Sequence, residues 1–214
     1  NGLTHVHSEY VAFCDADDFV DYSYFEKLYN TAKKYDADIA MTEYVRVGLS
    51  KYKPRLNIAT ETVNETINEK INICKQNKNE CPTNKIYRIE YLRKNNILFP
   101  EGMYCEDKLF SIKAVYYANK IVTVPGVKYY YWENPNSTVN VRKTYKHIQD
   151  RIKAKHDVLS FVKEKNIPVK NWYFKAEKKR IYLFGIPVFV IKESIKTERI
   201  YLFGILPIFE KLIK

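Results

Sequence analysis

The stretch "YVAFCDADDF", Tyr10 to Phe19, drives a near-continuous apolar segment into three carboxylates within four positions, Asp15, Asp17 and Asp18. An apolar run this short, stopped by a polar cluster, reads as a buried strand with a site at its end. Unpaired like charges at the end of a buried element are costly, so something positive has to meet them there. That demand constrains the chain more than any other feature of it.

The surrounding pattern places this strand in an α/β order. Asp21 is positioned to cap a helix over "YSYFEKLYNTAKKY", where Tyr24, Phe25, Leu28, Tyr29 and Ala32 recur at helical spacing. "ADIAMTEYVRV" (Ala37–Val47) follows as the next strand, so a βαβ-like order begins at once and favours a sheet with some parallel strands. A polar stretch over residues 48–70 leads into a helix over "TVNETINEKINICKQ", and "MYCEDKLFSIKAVYYAN" carries the next helical period. "KIVTVPGVKYYYW" predicts a strand pair broken at Pro125-Gly126, and "YKHIQDRIKAKHDVLSFVKEKN" an amphipathic helix. Beyond it "RIYLFGI" occurs twice, at 180–186 and 199–205, a period too rarely repeated for a solenoid and suggesting a small accessory hairpin.

The three carboxylates allow several chemistries. Two or three of them at a strand end make a hard oxygen cluster suited to Mg²⁺ or Mn²⁺ shared with substrate phosphates. A calcium loop fails, since its sixth position needs glycine and Val20 stands there. A phosphoaspartate pattern of the DxDxT kind fails too, because Phe19 stands where threonine is required. The bland alternative is that Asp18 and Asp21 cap the following helix, although capping uses one carboxylate. Glu106-Asp107 in "YCEDKLF" is a second acidic point. It gains from the helix macrodipole and is equally suited to supply a general base.

In order along the chain, "GLTHVHSEYVAFCDADDFVDYSYFEKLY", "NKIYRIEYLRKNNILFPEGMYCEDKLF" and "YYYWENPNSTVN" resemble the middle and later motifs of the family 2 glycosyltransferases, over roughly residues 1–140. That resemblance implies a GT-A-like, Rossmann-like mixed sheet flanked by helices. It implies that Asp15 and Asp17 hold Mn²⁺ or Mg²⁺ against the pyrophosphate of a nucleotide sugar. Asp107, with Glu106 beside it, matches the base that deprotonates an acceptor hydroxyl for an inverting displacement. Asp18, Asn84, Lys85, Asn136 and Ser137 match donor- or acceptor-contacting positions, with a surface lysine and a plain turn as the alternatives at Lys85 and at Asn136-Ser137. Trp132 and Tyr129–Tyr131 offer a platform for a sugar ring or, equally, core packing. Family members usually carry a nucleotide-binding segment before these motifs. The expectation is therefore a chain truncated at its N-terminus, keeping the metal and acceptor half.

Charge divides the chain. Residues 1–140 hold 18 Lys+Arg and 18 Asp+Glu, so the whole net charge of +11 falls in residues 141–214. The expected domains are accordingly 1–140, a partial glycosyltransferase domain, and 141–214, a basic helix with the repeated tail. Four cysteines without a CxxC pair read as buried reduced thiols in a cytoplasmic protein rather than a zinc or disulfide framework. Basic residues interleaved with apolar and aromatic ones in the tail suit an anionic membrane surface, hence a peripheral enzyme on the inner face of the membrane with a lipid-linked glycan acceptor. An inactive remnant of the fold and a basic membrane- or nucleic-acid-binding module are the rivals. Sedimentation with anionic liposomes that weakens at higher salt, without oligonucleotide binding at either salt, is the expected outcome; the reverse pattern identifies a nucleic-acid module.

Overall fold

A computed structural model describes residues 2–48, 52–74, 81–135, 137, 144–168, 177–183, 186–193, 197–202 and 206–212. The chain forms two compact units, Asn1–Phe161 and Val162–Lys214. In chain order the first unit opens with a 3-10 turn (Gly2–His5), β1 (Tyr10–Ala12), β2 (Phe19–Val20), α1 (Tyr24–Tyr35) and β3 (Ile39–Gly48). Then come β4 (Lys53–Leu56), β5 (Val63–Asn64), α2 (Ile67–Cys74), β6 (Lys85–Arg88) and α3 (Ile89–Lys94). The unit closes with α4 (Asp107–Tyr117), β7 (Ile121–Glu133) and α5 (Tyr145–Glu164), the last ending just past the unit boundary.

The sheet follows the path β1-β6-β3-β7-β2, with β4 added on β3 and β5 on β7. β3 and β7 run parallel, while every other pairing among the described residues is antiparallel. β3 and β7 lie inside the sheet, and their apolar runs suit that place. Ile39–Thr42 and Ile121–Val124 are continuously buried, the signature of strands covered on both faces. α1 buries Tyr24, Leu28 and Ala32, a stripe at four-residue spacing. It stops where Asp36 adopts a left-handed conformation (φ 48°) and its N–H returns to the helix.

Three expectations are corrected here. The strand pair broken at Pro125-Gly126 is a single strand, β7, whose pairing with β3 is interrupted by residues 125–127 and then resumes. Thr42 makes this possible, since its hydroxyl lies 2.6 Å from both the Val124 and Val127 carbonyls on the two sides of the interruption. Asp21 is not a side-chain cap: Ser23 occupies the cap position of α1 without a side-chain bond. Of the four cysteines only Cys74 is buried, and all four are free thiols.

The first unit continues past residue 140, where the charge changes. Ala154, Val158 and Phe161 of α5 are buried, and the Phe161 ring meets Tyr116 of α4 edge-on at 5.4 Å. The charged positions of α5 are a solvated face on a helix whose apolar stripe belongs to the core.

The second unit carries β8 (Glu177–Leu183), β9 (Ile186–Glu193), β10 (Thr197–Leu202) and β11 (Leu206–Leu212), an antiparallel sheet in that order. The duplicated "RIYLFGI" therefore makes two hairpins rather than one, because each copy pairs with the strand that follows it. The register shifts at the same place in both, between Ile181 and Tyr182 and between Ile200 and Tyr201.

Replacing Thr42 by valine keeps the shape of the side chain and removes the single hydroxyl donor that the Val124 and Val127 carbonyls share. A loss of about 2 kcal/mol in urea-unfolding free energy is expected, within the usual cost of such groups.

Candidate active site

A cleft of about 800 Å³ opens where the end of β1 meets the start of α4 and the outer ends of β3 and β7. Asp15, Glu106 and Asp107 all line it, so the fold brings together the two acidic motifs that lie far apart in sequence. Phe13 and Phe99 contribute apolar lining and belong to a cluster with Phe110, in which Phe99 and Phe110 stack at 3.9 Å. Arg46 of β3, Arg55 of β4 and Tyr131 of β7 complete the charged and aromatic lining.

The acidic loop divides into two functions. Asp18 accepts a hydrogen bond from the Tyr129 hydroxyl (2.6 Å) and another from the Trp132 backbone N–H (2.9 Å). Asp21 accepts from the Lys128 N–H (2.8 Å) and the Tyr130 hydroxyl (3.1 Å). Both carboxylates thus hold β7, and Asp18 does not line the cleft. Asp15 does line it, and its backbone N–H donates to the Tyr129 hydroxyl (3.2 Å). Partial desolvation holds the Asp15 carboxyl above the usual carboxylate range, with the neighbouring Asp17 and then Glu106 adding to the shift. Desolvation also raises Asp18, against its bonds to Tyr129 and Trp132. Asp17 is exposed and lies 3.4 Å from the Asn134 amide nitrogen.

The second acidic motif is held by unusual backbone. Gly102 (φ 68°) and Cys105 (φ 61°) both adopt the left-handed region, and Cys105 directly precedes Glu106. A non-glycine residue there is strained and persists only when its surroundings enforce it. α5 supplies the enforcement: Asp150 accepts from the Tyr104 N–H (3.0 Å), Lys146 donates to the Gly102 carbonyl (2.8 Å), and His147 stacks on Tyr104 at 4.3 Å. Glu106 then occupies the cap position of α4 and Asp107 its first turn.

Asn84 and Lys85 do not reach the cleft. Both are buried, and Lys85 is neither the phosphate ligand nor the surface lysine expected of it. Its ammonium donates to the Cys81 carbonyl (2.7 Å) and the Asn84 side-chain oxygen (2.6 Å), while the Asn84 amide donates to the Thr42 carbonyl (2.6 Å). Burial lowers the Lys85 pKa. This network underpins the segment Cys81–Thr83, which does line the cleft. Ser137 is half-buried in the turn after β7, where its N–H donates to the Asn134 carbonyl (3.1 Å). Asn136 lies outside the described residues. Of the aromatic platform, Tyr129 is core, Tyr130 stacks on Phe19, Trp132 is exposed and only Tyr131 lines the cleft. Arg46 and Arg55 were not among the expected site residues. Nothing in their local pattern separates them from surface arginines, and only the strand register places them here.

Among the described residues, no group of three or more His, Cys, Asp or Glu side chains is arranged to hold a metal by itself. Mg²⁺ sites commonly take one or two carboxylates and leave the other positions to substrate phosphate and water. Asp15 lines the cleft and the exposed Asp17 follows two residues on, outside the lining, so these two carboxylates would make a donor set of that smaller size.

Residues 1–95 match the family model described as glycosyl transferase family 2. That segment is similar to family 2 glycosyltransferases. The chain is 28% identical over 171 residues to the uncharacterized glycosyltransferase EpsJ of Bacillus subtilis (strain 168), an alignment covering 72% of this chain and 47% of that protein. The chain thus spans about half the length of the curated relative it matches. Crystal structures of S. aureus TarS 1–349 superpose with TM-scores of 0.59 with UDP and 0.60 with UDP-GlcNAc, at 22% and 21% identity. Each match covers 78% of this chain, and 44% and 46% of TarS respectively. The mixed sheet with flanking helices is therefore a GT-A-like arrangement.

A carboxyl whose folded pKa is raised stabilises the fold below its unfolded pKa, near 4, and loses that contribution as pH rises through the folded value. Asp15→Asn is accordingly expected to raise the urea midpoint at pH 7 relative to the parent and to flatten its fall above about pH 4. A variant less stable than the parent at pH 7 overturns this account of the loop.

Proposed function

We propose that the protein transfers a sugar from a nucleotide-sugar donor to a hydroxyl of a glycan acceptor, with inversion at the anomeric carbon. One observation carries the proposal: a single cleft gathers Asp15 from the acidic loop and Glu106-Asp107 from the start of α4. The family 2 match over residues 1–95 and the UDP-GlcNAc complex of TarS support a nucleotide-sugar donor. The EpsJ relative supports the glycosyltransferase class.

In the reaction, the Asp107 carboxylate accepts the proton of the acceptor hydroxyl, with Glu106 beside it as the second candidate. The oxygen attacks the anomeric carbon, the carbon–oxygen bond to the diphosphate breaks, and the nucleoside diphosphate departs with the electron pair. Asp15 and Asp17 would hold Mn²⁺ or Mg²⁺, which when bound would supply Lewis-acid neutralisation of the leaving diphosphate. Phe99 and Tyr131 give the cleft an aromatic surface on which a sugar ring can pack. Asn84, Lys85 and Asp18 act through position: the first two support the Cys81–Thr83 wall and Asp18 fixes β7.

The basic excess beyond residue 140 suits an anionic membrane surface and, with it, a lipid-linked acceptor in bacterial surface polysaccharide synthesis. Among the described residues no helix is long and apolar enough to cross a membrane, and a peripheral enzyme at the cytoplasmic face is compatible with that.

The test is sugar transfer by the full-length protein with Mn²⁺ and a panel of nucleotide sugars. Asp107→Asn is expected to lower kcat by about 10²- to 10⁴-fold, the range of general-base loss, with KM for the donor little changed. Equal loss from Glu106→Gln with full activity in Asp107→Asn reassigns the base. Undiminished transfer in Asp17→Asn at limiting Mn²⁺ removes that residue from the metal site.

A further inference from the structure

Arg55 reaches the cleft by way of an irregularity in the sheet, and Arg46 reaches it from the regular end of β3. In the pairing of β3 with β4, Tyr44 faces Leu56 while Val45 faces Pro54, so Arg55 is the extra residue of a β-bulge. Bulges bend a strand and re-aim a side chain, and they cluster beside sites. Here the residue set apart by the bulge is one of two guanidiniums lining the cleft. Arg55 is exposed and has no ion-pair partner among the described residues. Arg46, at the end of β3, lies over the Tyr131 ring at 5.3 Å. Among the described residues its one ion pair, to Glu133, is loose at 3.6 Å, and its Nε is buried without a hydrogen-bond partner. With that N–H shut off from the cleft, an anionic ligand would be met by the other N–H groups of the guanidinium. The Tyr131 ring keeps the guanidinium plane from swinging away.

Two planar donor groups of like charge at one cleft wall need an oxyanion between them. The acidic end of the cleft already has a role for the donor diphosphate, through the cation held at Asp15. A second oxyanion therefore has to come from the other substrate. Resting on the transferase proposal, we infer that Arg46 and Arg55 form an acceptor subsite for a phosphate or carboxylate group, so that the natural acceptor is an anionic glycan. Guanidinium groups bind such anions through paired charge-assisted hydrogen bonds, which give orientation as well as affinity. An acceptor clamped in this way presents one hydroxyl to Asp107 rather than several, and regioselectivity follows from the position of the charge on the sugar.

The experiment uses NMR titration of the full-length protein with glucose 6-phosphate, glucuronate and glucose, in the presence of saturating UDP and Mn²⁺. The two anionic probes are expected to bind at least tenfold more tightly than glucose. Arg55→Gln, an exposed change that leaves the core intact, is expected to reduce that preference at least fivefold while UDP affinity stays within twofold. Arg46→Gln should do the same, with thermal unfolding as the control for its contact with Tyr131. Equal binding of charged and neutral probes overturns the inference. So does a loss of UDP affinity in the arginine variants, which assigns the pair to the donor diphosphate instead. Failure of the parent protein to bind UDP sinks the transferase proposal, while a parallel series of the same titrations run without UDP still reads the preference for anions.

Discussion

Two carboxylates, Asp18 and Asp21, tie the acidic loop to four donors on Lys128, Tyr129, Tyr130 and Trp132 of β7, and the site depends on that seam. The loop between β1 and β2 has little regular structure of its own, since β2 is only two residues long. Its course is set by bonds from Lys128 N–H, Tyr129 hydroxyl, Tyr130 hydroxyl and Trp132 N–H to those two acids. Neutral donors satisfy the charges without neutralising them, so the loop stays electronegative where Asp15 and Asp17 emerge. The tyrosine run "KYYYW" is thereby explained as well: two of its hydroxyls are spent on the loop, and the third ring, that of Tyr131, lines the cleft.

A similar division between holding and acting runs through the other motifs. The Asn84-Lys85 pair forms a buried bracket joining β3 to the cleft wall, and an ammonium with only neutral partners there is tolerable because both of its acceptors are well aimed. Cys105 holds the strained turn that delivers Glu106 and Asp107, and α5 keeps that turn from relaxing. The helix that opens the basic third of the chain therefore has a second task, as the brace behind the second acidic motif.

Much of this arrangement was legible from residue pattern, and the boundary of legibility is physical. Long periodic segments such as α1, β3 and α5 announced themselves through burial stripes. The acidic motifs stood out because charge at the end of an apolar run has few explanations. What pattern failed to give was anything decided by register. Thr42 bridging the interruption of β7, the bulge that frees Arg55 and the partners of Asp18 and Asp21 all join residues far apart in sequence. Local spacing carries no trace of such pairs. Lys85 was misplaced for the same reason, as nothing around "NKIY" tells a buried lysine from an exposed one. The tail was misjudged by counting: two copies of a motif suggested the two arms of one hairpin, whereas each copy supplies a hairpin of its own.

That last feature reaches beyond this molecule. Each copy closes its own backbone pairing, with its shift of register at the matching residue, and meets its neighbour along a single seam between β9 and β10. A unit of that kind can be gained or lost whole, because deleting one leaves no half-paired strand within the other. The second copy already tolerates one additional residue, Leu206, between its turn and Pro207. Each hairpin is thus self-contained in its pairing and joined to its duplicate through β9 and β10.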